Sequence, residues 1–557
     1  MKRSPAIINA PASSRRNYEI RLLSFLAVFV SVFSFLFYLR GGDLMLYGDA
    51  VAHINIARRV FDSRTPGLLQ LGTVWLPLPH LLMIPFLISD DLWRSGVGGA
   101  IPSMVAYVFG VIGVFRLVRG VLAGGGEPDT AARVAGWTAA AIYGLNPNLI
   151  YMQATAMGEA LYLAWFIWGV VYFLEFVRGE EKALVTCGMC LAAACLTRYD
   201  GWFPAVVVAG AVVTFYFRRT HTDEVGRGTG APPDSRARPS PHKTPLARFL
   251  LLTVAAPALW LAYNAAVYRN PLEFANGPYS AKAVEKNTGT INPAKGNLYA
   301  GAMFFVKSAE LNVAEPAWLG RMWLLLALAG AAAILIWRRA AWPILLLWTP
   351  LPFYAISLAY GGVPIFVPVW WPFSHYNVRY GLELLPAMAG CLAFLVAAAL
   401  RSSKSPPAVR RAMAIALAAV VIAGYASVWR WEPICYREAA INMRGRVALE
   451  RQLANWLRDL PPNATLLMYL GEHPGAVQQA GIPLKRVINE GNHRVWKQPV
   501  DPDGLWERAL VDPSKFADYV VAFEGDTVWQ VVQARHLPEL VEISVTGQRR
   551  AILYRAR

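Results

Sequence analysis

Long apolar runs are the feature of this sequence that most limits its fold. About eleven of them follow one another along the chain, each near the roughly 18 to 25 residues that a helix needs to cross a bilayer. They cover residues 22–39, 97–118, 131–150, 158–177, 182–197, 202–217, 248–268, 320–337, 341–360, 381–400 and 411–429. Because a backbone in lipid must satisfy its own hydrogen bonds, the runs predict a polytopic α-helical membrane protein with about 11 transmembrane helices.

Composition and charge distribution support a membrane protein and argue against a nucleic-acid-binding protein. Only 16% of the 557 residues are charged, against roughly 25% in soluble domains. The net charge of +17 comes from basic residues in short loops between apolar runs, not from a continuous groove that could follow phosphates. We therefore expect the lipid bilayer, and no nucleic acid, as a partner.

Basic residues also predict the orientation of the chain. A basic N-terminal segment precedes the run at 22–39, which is longer than a signal-peptide core and is interpreted as the first span. With the N-terminus in the cytoplasm, nearly every predicted inner loop is basic, as the positive-inside rule requires. The predicted outer segments are 40–96, 151–157, 198–201, 269–319, 361–380 and everything after about 430. We expect a multi-pass protein of a bacterial inner (plasma) membrane, with a Pro-rich, interfacial or re-entrant stretch at 77–92.

A change in composition after Trp431 predicts a second domain. Residues 437–460 have the pattern of an amphipathic helix, and short apolar segments with turn signals follow them. The segments are ATLLMYL, RVINEG, ADYVVAF, LVEISV and AILYRA, with helix-like stretches at 474–480, 503–510 and 526–535. We predict a transmembrane domain over 1–430 and a small extracytoplasmic α/β domain over 431–557. Since that domain carries no nucleotide fingerprint, it is expected to support or cap a membrane site.

The first predicted outer loop, 40–96, concentrates ionisable residues at the membrane boundary. Asp49 and His53 lie four residues apart, so both would face the same side of a helix, and Arg58 and Arg59 follow one turn later. Charged groups are expensive to keep at such a boundary, which favours a functional site. The alternative is a solvated amphipathic connector that only returns the chain to the bilayer.

Two further polar motifs fall at predicted outer ends of spans. Glu159 opens the run at 158–177, either as a functional acid or as a capping-box acid at a helix N-terminus. Arg198 and Asp200 lie in TRYDGW between two short runs. Their alternative interpretation is a turn that neutralises its own charges.

The sequence WWPFSHYNVRYGLELLP adds His375, Arg379 and Tyr380 directly before a late span. Aromatic belts explain the Trp pair, but they do not explain an Arg at the head of an apolar helix. Two carboxylates and two Arg near one membrane surface suit a lipid-borne phosphate and a sugar. Arginine binds phosphate oxygens bidentately, and a carboxylate can accept a proton from an acceptor hydroxyl.

Five short motifs, in their order along the chain, resemble the GT-C superfamily of membrane glycosyltransferases. They are GDAVAH after the first span, WLPLPH closing the first loop, GEALY opening a later span, TRYDGW and NVRYGLELLP. The most similar groups are the bacterial lipid A aminoarabinose transferases and the protein O-mannosyltransferases. The first loop has Gly-Asp where the O-mannosyl branch has Asp-Glu. Oligosaccharyltransferases carry WWDxG in their C-terminal domain, whereas WWPFS here lies elsewhere and lacks the Asp.

The resemblance implies roles for the candidate residues. Asp49 matches the acidic residue of the first outer loop that is assigned as the base. Glu159 matches a second acidic residue that assists catalysis or binds a metal, so a divalent ion held by Asp49 and Glu159 is an open expectation. Arg198, Arg379 and Tyr380 match residues that contact the donor phosphate.

The remaining candidates are expected to bind substrate or to position these groups. His53 either holds Asp49 in place or is a neighbour on the helix without a chemical role. Asp200 and His375 are placed with the substrate-binding residues because they share motifs with Arg198 and Arg379.

The resemblance and the polar residues together predict transfer of a sugar from a polyprenyl-phosphate donor to a glycan, lipid or protein acceptor at the outer face. Direct displacement would invert the anomeric centre. A transporter or flippase for a lipid-linked or anionic solute is the alternative, although the paired broken helices of many transporters are not found. A non-catalytic membrane assembly factor is the third possible function, and it would leave Asp49 and Glu159 without a role.

Overall fold

A computed structural model gives the structure of the protein and describes residues 12–226, 243–278, 280–288, 291–337, 339–492 and 504–557. Most of the described chain is helical. In chain order up to residue 430 the helices are α1 Ala12–Gly41, α2 Gly48–Arg59, α3 Pro77–Leu87, α4 Asp90–Arg94, α5 Val97–Ala123, α6 Thr130–Gly144, α7 Pro147–Gln153, α8 Glu159–Val177, α9 Glu181–Thr197, α10 Trp202–Gly226, α11 Lys243–Tyr268, α12 Glu273–Asn276, α13 Ala281–Thr288, α14 Leu298–Val313, α15 Ala317–Trp337, α16 Pro350–Tyr360, α17 Leu385–Arg401 and α18 Pro407–Arg430. Short 3₁₀ helices cover Leu68–Leu71, Tyr199–Gly201, Arg339–Trp348 and Val378–Leu384.

Nine segments of the described chain are long and apolar enough to cross a bilayer, which makes this a multi-pass membrane protein. They are Tyr18–Gly41, Val97–Ala123, Glu159–Val177, Tyr199–Arg218, Thr244–Tyr268, Ala317–Trp337, Ala340–Tyr360, Val378–Arg401 and Pro407–Arg458. The two remaining predicted runs, 131–150 and 182–197, also form helices, but α6 has only 15 residues and α9 only 17. The Pro-rich stretch at 77–92 forms the short helices α3 and α4, in agreement with its exclusion from the spans.

The run at 131–150 is divided by a helix start inside it. Asn146 caps α7, because its side-chain oxygen accepts hydrogen bonds from the backbone N–H groups of Asn148 and Leu149. Pro147 occupies the first turn of α7, where its missing N–H costs nothing. One apolar run therefore becomes two helices that meet at the end of the bundle where α8 begins.

The chain after residue 433 forms the predicted α/β unit. Its helices are α19 Ile434–Arg458, α20 Pro474–Ala480, α21 Leu505–Val511, α22 Pro513–Phe516 and α23 Thr527–Arg535, with a 3₁₀ turn at Leu484–Arg486. Its strands are β1 Leu466–Met468, β2 Val487–Ile488, β3 Tyr519–Phe523, β4 Glu539–Ile543 and β5 Ala551–Arg555. They form one sheet in the order β2-β1-β3-β5-β4, parallel among the first three and antiparallel at β5. Four of the apolar segments predicted as strands contain one of these strands, and the fourth in chain order, LVEISV, overlaps β4, which starts one residue earlier.

The C-terminal unit packs directly on the first loop. Gln478 of α20 accepts a hydrogen bond from Asn55 of α2 at 2.7 Å and donates one to the Trp93 carbonyl at 2.7 Å. Asp62, which pairs with Arg58 at 2.8 Å, also accepts from the backbone N–H of Leu484. The end of the bundle where α2, α3, α4 and the C-terminal unit meet is called the site face below.

Candidate functional site

Arg379 is the centre of a buried polar cluster on the site face. Its three guanidinium nitrogens contact three different carboxylates: Nη2 to Asp49 at 2.7 Å, Nε to Glu159 at 3.1 Å and Nη1 to Glu438 at 2.9 Å. These acids come from α2, α8 and α19, which are far apart in the chain. One guanidinium thus joins the first loop, the membrane helices and the C-terminal unit through charge-assisted hydrogen bonds.

Arg198 forms the second half of the cluster. Its Nη1 donates to Glu159 Oε1 at 2.9 Å, and its Nε donates to both oxygens of Asp200 at 2.9 and 3.1 Å. Its Nη2 contacts Glu383 at 3.3 Å and the Tyr354 hydroxyl at 3.2 Å. The Arg198–Asp200 pair is therefore more than a local turn, because the same guanidinium also contacts three residues of other segments.

Glu159 fixes the spacing of the two arginines. The same oxygen, Oε1, accepts hydrogen bonds from Arg198 and from Arg379. The side chain is fully buried, and its Oε2 has no hydrogen-bond partner within the described part of the chain. Its contacts are those of an acid that orients two guanidinium groups, and they include no bond to the first-turn N–H groups of α8.

Asp200 and Glu383 share the hydroxyl group of Tyr354. The hydroxyl lies 2.7 Å from Asp200 Oδ2 and 2.7 Å from Glu383 Oε1. A hydroxyl has one hydrogen, so it donates to one of the two carboxyl groups, and a proton on the other would let that group donate to the hydroxyl oxygen in turn. Asp200 has the closer contacts with Arg198, so we expect Glu383 to carry such a proton. The cluster has five carboxyl groups and two guanidinium groups, and a proton on Glu383 would reduce its excess of negative charge.

Glu438 brings the C-terminal unit into the site. Besides Arg379 it accepts a hydrogen bond from the backbone N–H of Val378 at 2.6 Å and one from the Tyr47 hydroxyl at 3.2 Å. The Tyr47 hydroxyl also lies 2.8 Å from the Cys435 carbonyl oxygen. Tyr47 precedes Asp49 by two residues, so α19 holds the start of α2 and the arginine of the late span in one arrangement.

Asp49 is the cluster carboxylate that solvent can reach. Its side chain is 39% exposed, whereas the side chains of Glu159 and Glu383 are 0% exposed and those of Asp200 and Glu438 are almost completely buried. Arg198, at 17%, is the more accessible of the two arginines. Exposure thus separates one accessible acid from the buried acids that orient the arginines.

Local backbone features explain why these side chains meet. Asn377 has a φ of 57°, a left-handed conformation that Asn tolerates better than most residues, and its side chain donates to the Pro364 carbonyl at 2.9 Å. This turn starts the 3₁₀ helix that carries Arg379, Tyr380 and Glu383. A Cβ at Gly381 would collide with the backbone of α14, so this glycine permits the close packing that buries the helix.

Tyr380 lies between the two arginines, whereas His375 is away from them. The Tyr380 ring is 5.0 Å from the Arg198 guanidinium carbon and 5.1 Å from that of Arg379, close enough for cation–π contact. His375 contributes its carbonyl oxygen, which accepts from Asn442 of α19 at 2.7 Å. Its Nε2 is buried and has no partner in the described structure, so the side chain is not placed in the cluster.

His53 contacts a second histidine rather than Asp49. Its Nδ1 is 2.8 Å from His80 Nε2, and its ring packs against Trp75 with centroids 5.1 Å apart. Burial lowers the pKa of His53 to about 4, against an opposite effect of the Asp49 carboxylate. Burial likewise holds the pKa of His80 well below its usual range. Both rings are therefore neutral at pH 7, and their contact joins α2 to α3.

The pair of acids considered for a divalent ion does not form a closed ligand set. Asp49 and Glu159 both pair with Arg379, so a cation bridging them would face a guanidinium group. Among the described residues, no group of three or more His, Cys, Asp or Glu has a geometry suited to a metal. These residues do not fit a two-carboxylate metal site in this arrangement.

Sequence reasoning missed Glu383, Glu438 and Tyr354. Glu383 lies within the NVRYGLELLP motif, and an acid at the head of an apolar helix was a usable signal. Glu438 had no such sequence signal, because an acid in an amphipathic helix is ordinary. Tyr354 lies inside an apolar run, where aromatic residues are common.

Solved structures with a similar fold include two crystal structures of ArnT from Cupriavidus metallidurans. The one bound to undecaprenyl phosphate has a TM-score of 0.52 and 14% sequence identity, covering 96% of this chain and 98% of that one. The apo structure has a TM-score of 0.51 and 12% identity, covering 97% and 98%. No family model and no curated protein matches the sequence.

The likeness over nearly the full length of both chains defines the class of this protein: a multi-pass membrane protein with a GT-C-like fold and a small C-terminal sheet region. The fold predicted from the sequence is confirmed. Since the identity is low, the likeness is one of fold and does not by itself assign an activity.

Proposed function

We propose that this protein is a glycosyltransferase that moves a sugar from a polyprenyl-phosphate donor to a hydroxyl or amine of an acceptor. The observation that carries the proposal is the accessible Asp49 carboxylate, which lies 2.7 Å from Arg379. Glu159 contacts both Arg379 and Arg198, so it joins the two arginines. A base and two phosphate-binding cations lie together at one end of a membrane bundle. The bound undecaprenyl phosphate in one of the similar crystal structures supports a polyprenyl-phosphate donor.

The two arginines are proposed to bind the donor phosphate. A guanidinium group has more N–H donors than the three that Arg379 uses for its carboxylates, so donors remain for phosphate oxygens. Guanidinium groups fixed by buried acids lose little freedom when they bind, which strengthens electrostatic stabilisation of the leaving group. Tyr380 lies against both arginines and limits their movement.

Asp49 is proposed as the general base. It accepts the proton of the acceptor O–H or N–H while the acceptor atom forms a bond to the anomeric carbon. The bond between that carbon and the phosphate oxygen breaks, and its electron pair stays on the phosphate. The polyprenyl phosphate released is a weak base that the arginines stabilise, so it needs no proton to leave. A single displacement inverts the anomeric centre.

The site face is proposed to be the outer face of a bacterial inner membrane. The basic inner loops support this orientation through the positive-inside rule. The acceptor is then a glycan, lipid or protein on that side.

Purified protein tested with a panel of radiolabelled polyprenyl-phosphate sugars and membrane extract as acceptor source would test the proposal. We expect label to leave the lipid for one donor class, with equal amounts of polyprenyl phosphate released. In the same assay Asp49→Asn should transfer no sugar, and its matched control is Asp43→Asn, which changes another Asp of the same loop whose contact is Tyr436 rather than the cluster. Binding of the lipid-linked sugar without cleavage of the phosphate bond would instead favour the transporter.

A further inference from the structure

A hairpin next to the site has an apolar tip whose large side chains are partly left exposed by the described part of the chain. Residues 361–377 connect α16 to the 3₁₀ helix of Arg379 and contain no Asp, Glu, Lys or Arg. Paired backbone hydrogen bonds between Phe366 and Tyr376, at 2.9 and 3.1 Å, close the base of the hairpin. The segment between them is therefore held in a defined direction.

The tip exposes large apolar side chains. Val369 is 50% exposed, Trp371 51% and Phe373 67%. Scattered apolar residues are normal on a protein surface, but three within five residues on a hairpin without charges form a patch. Such a patch indicates an interaction surface.

The patch continues onto α14. Trp370, at the tip, packs edge-on against Phe304 with ring centroids 5.2 Å apart. The first two turns of α14 expose Leu298, Tyr299 and Met303 on the surface. The hairpin tip and the start of α14 thus form one surface, called the apolar rim below.

The rim also joins the lipid-facing surface of the membrane helices. α14 packs along α16, which belongs to the candidate span Ala340–Tyr360 and exposes Ile356 and Tyr360. The other end of the hairpin enters the candidate span Val378–Arg401. Both ends of the hairpin therefore meet the bilayer at the same face, which argues for lipid rather than for a protein on the rim.

We propose that the apolar rim inserts into the headgroup layer of the leaflet on the site face. Trp and Tyr favour this layer because their rings have an apolar body and a polar atom. The absence of charged residues from 361–377 removes the usual obstacle to partial insertion. The partner is the phospholipid surface itself, and the inference does not depend on the proposed reaction.

Insertion would set the height of the catalytic groups above the bilayer. Val378 and Arg379 follow the hairpin directly, and Arg379 contacts Asp49. If the proposed function holds, this places the arginines at the depth where the phosphate of a lipid-linked donor lies. The rim would then be one side of the entrance for lipid substrates.

Fluorescence quenching from single-cysteine labels tests the insertion. All five native cysteines are buried, so Phe373→Cys can be labelled selectively with a small environment-sensitive fluorophore. Leu251→Cys on the span α11 serves as the lipid-exposed control, and Val511→Cys on α21 as the water-exposed control. The proteins are reconstituted in phosphatidylethanolamine and phosphatidylglycerol vesicles with lipids that carry a doxyl quencher near the headgroup.

We expect several-fold stronger lipid quenching at 373 than at 511, with protection of the label at 373 from iodide in the water. Val369→Cys should behave like Phe373→Cys, which keeps the test valid if one variant folds poorly. Quenching at 373 and 369 equal to that at 511 would overturn the proposal. A shift that depends on protein density in the vesicle and not on the lipid quencher would assign the rim to a second copy, and would also overturn it.

Discussion

Replacement of Arg379 by lysine tests whether the arginine fork, rather than positive charge alone, organises the site. The wild-type side chain contacts Asp49, Glu159 and Glu438 through three different nitrogens. One lysine ammonium cannot hold three acids in these directions, so about two charge-assisted hydrogen bonds are lost. At about 1.5–3 kcal/mol each, the loss is about 3–6 kcal/mol, which corresponds to a decrease of about 10²- to 10⁴-fold in kcat/KM.

The assay is sugar transfer by purified protein with the donor identified from the panel, after size-exclusion chromatography has shown that the variant is folded. Arg119→Lys is the matched control, because Arg119 is equally buried and pairs with Glu19, outside the cluster. We expect Arg119→Lys to retain wild-type kcat/KM. An Arg379→Lys enzyme within about threefold of wild type would refute the argument that the fork geometry positions phosphate and base.

Three further predictions follow from the site. Because the Glu383 carboxyl is expected to carry a proton, Glu383→Gln should transfer sugar within about threefold of wild type, whereas Asp200→Asn should lose at least about tenfold. The reverse order would contradict the expected position of the proton. Because the pKa of His53 is lowered to about 4, the unfolded chain binds a proton between about pH 6.5 and 4 that the folded chain does not. The free energy of unfolding should therefore fall by about 2 kcal/mol by about pH 5. His53→Gln should show a smaller decrease in thermal midpoint over the same pH range. Chelation with EDTA followed by gel filtration should leave the transfer rate unchanged, since Asp49 and Glu159 are both paired with Arg379; loss of activity that Mg²⁺ or Mn²⁺ restores would show that a metal takes part.

The membrane fold could be predicted because apolar length is a local signal. Each run of about 20 apolar residues has few alternatives to a helix in lipid. The prediction was least accurate at 131–150, where the Asn146-Pro147 helix start was not recognised inside an apolar run. The strands of the C-terminal unit were predicted from short apolar segments between turn signals, and all five overlap strands.

The polar cluster was predicted in part because ionisable residues at the ends of spans are rare. That rule selected Asp49, Glu159, Arg198 and Arg379, which the fold brings together. It did not reveal that Glu438, 59 residues beyond Arg379, closes the cluster from the C-terminal unit. It also did not separate the exposed Asp49 from the buried Glu159, because burial depends on contacts between distant segments.

The most direct test of the central claim is single-turnover cleavage of the sugar–phosphate bond by wild-type protein and by Asp49→Asn. Both proteins are loaded with the labelled donor and mixed with acceptor, and free polyprenyl phosphate and glycosylated acceptor are measured over time. We predict that both bind the donor, because the arginines remain, and that only the wild type releases polyprenyl phosphate and forms product. Cleavage at equal rates by both proteins would contradict the assignment of Asp49 as the base.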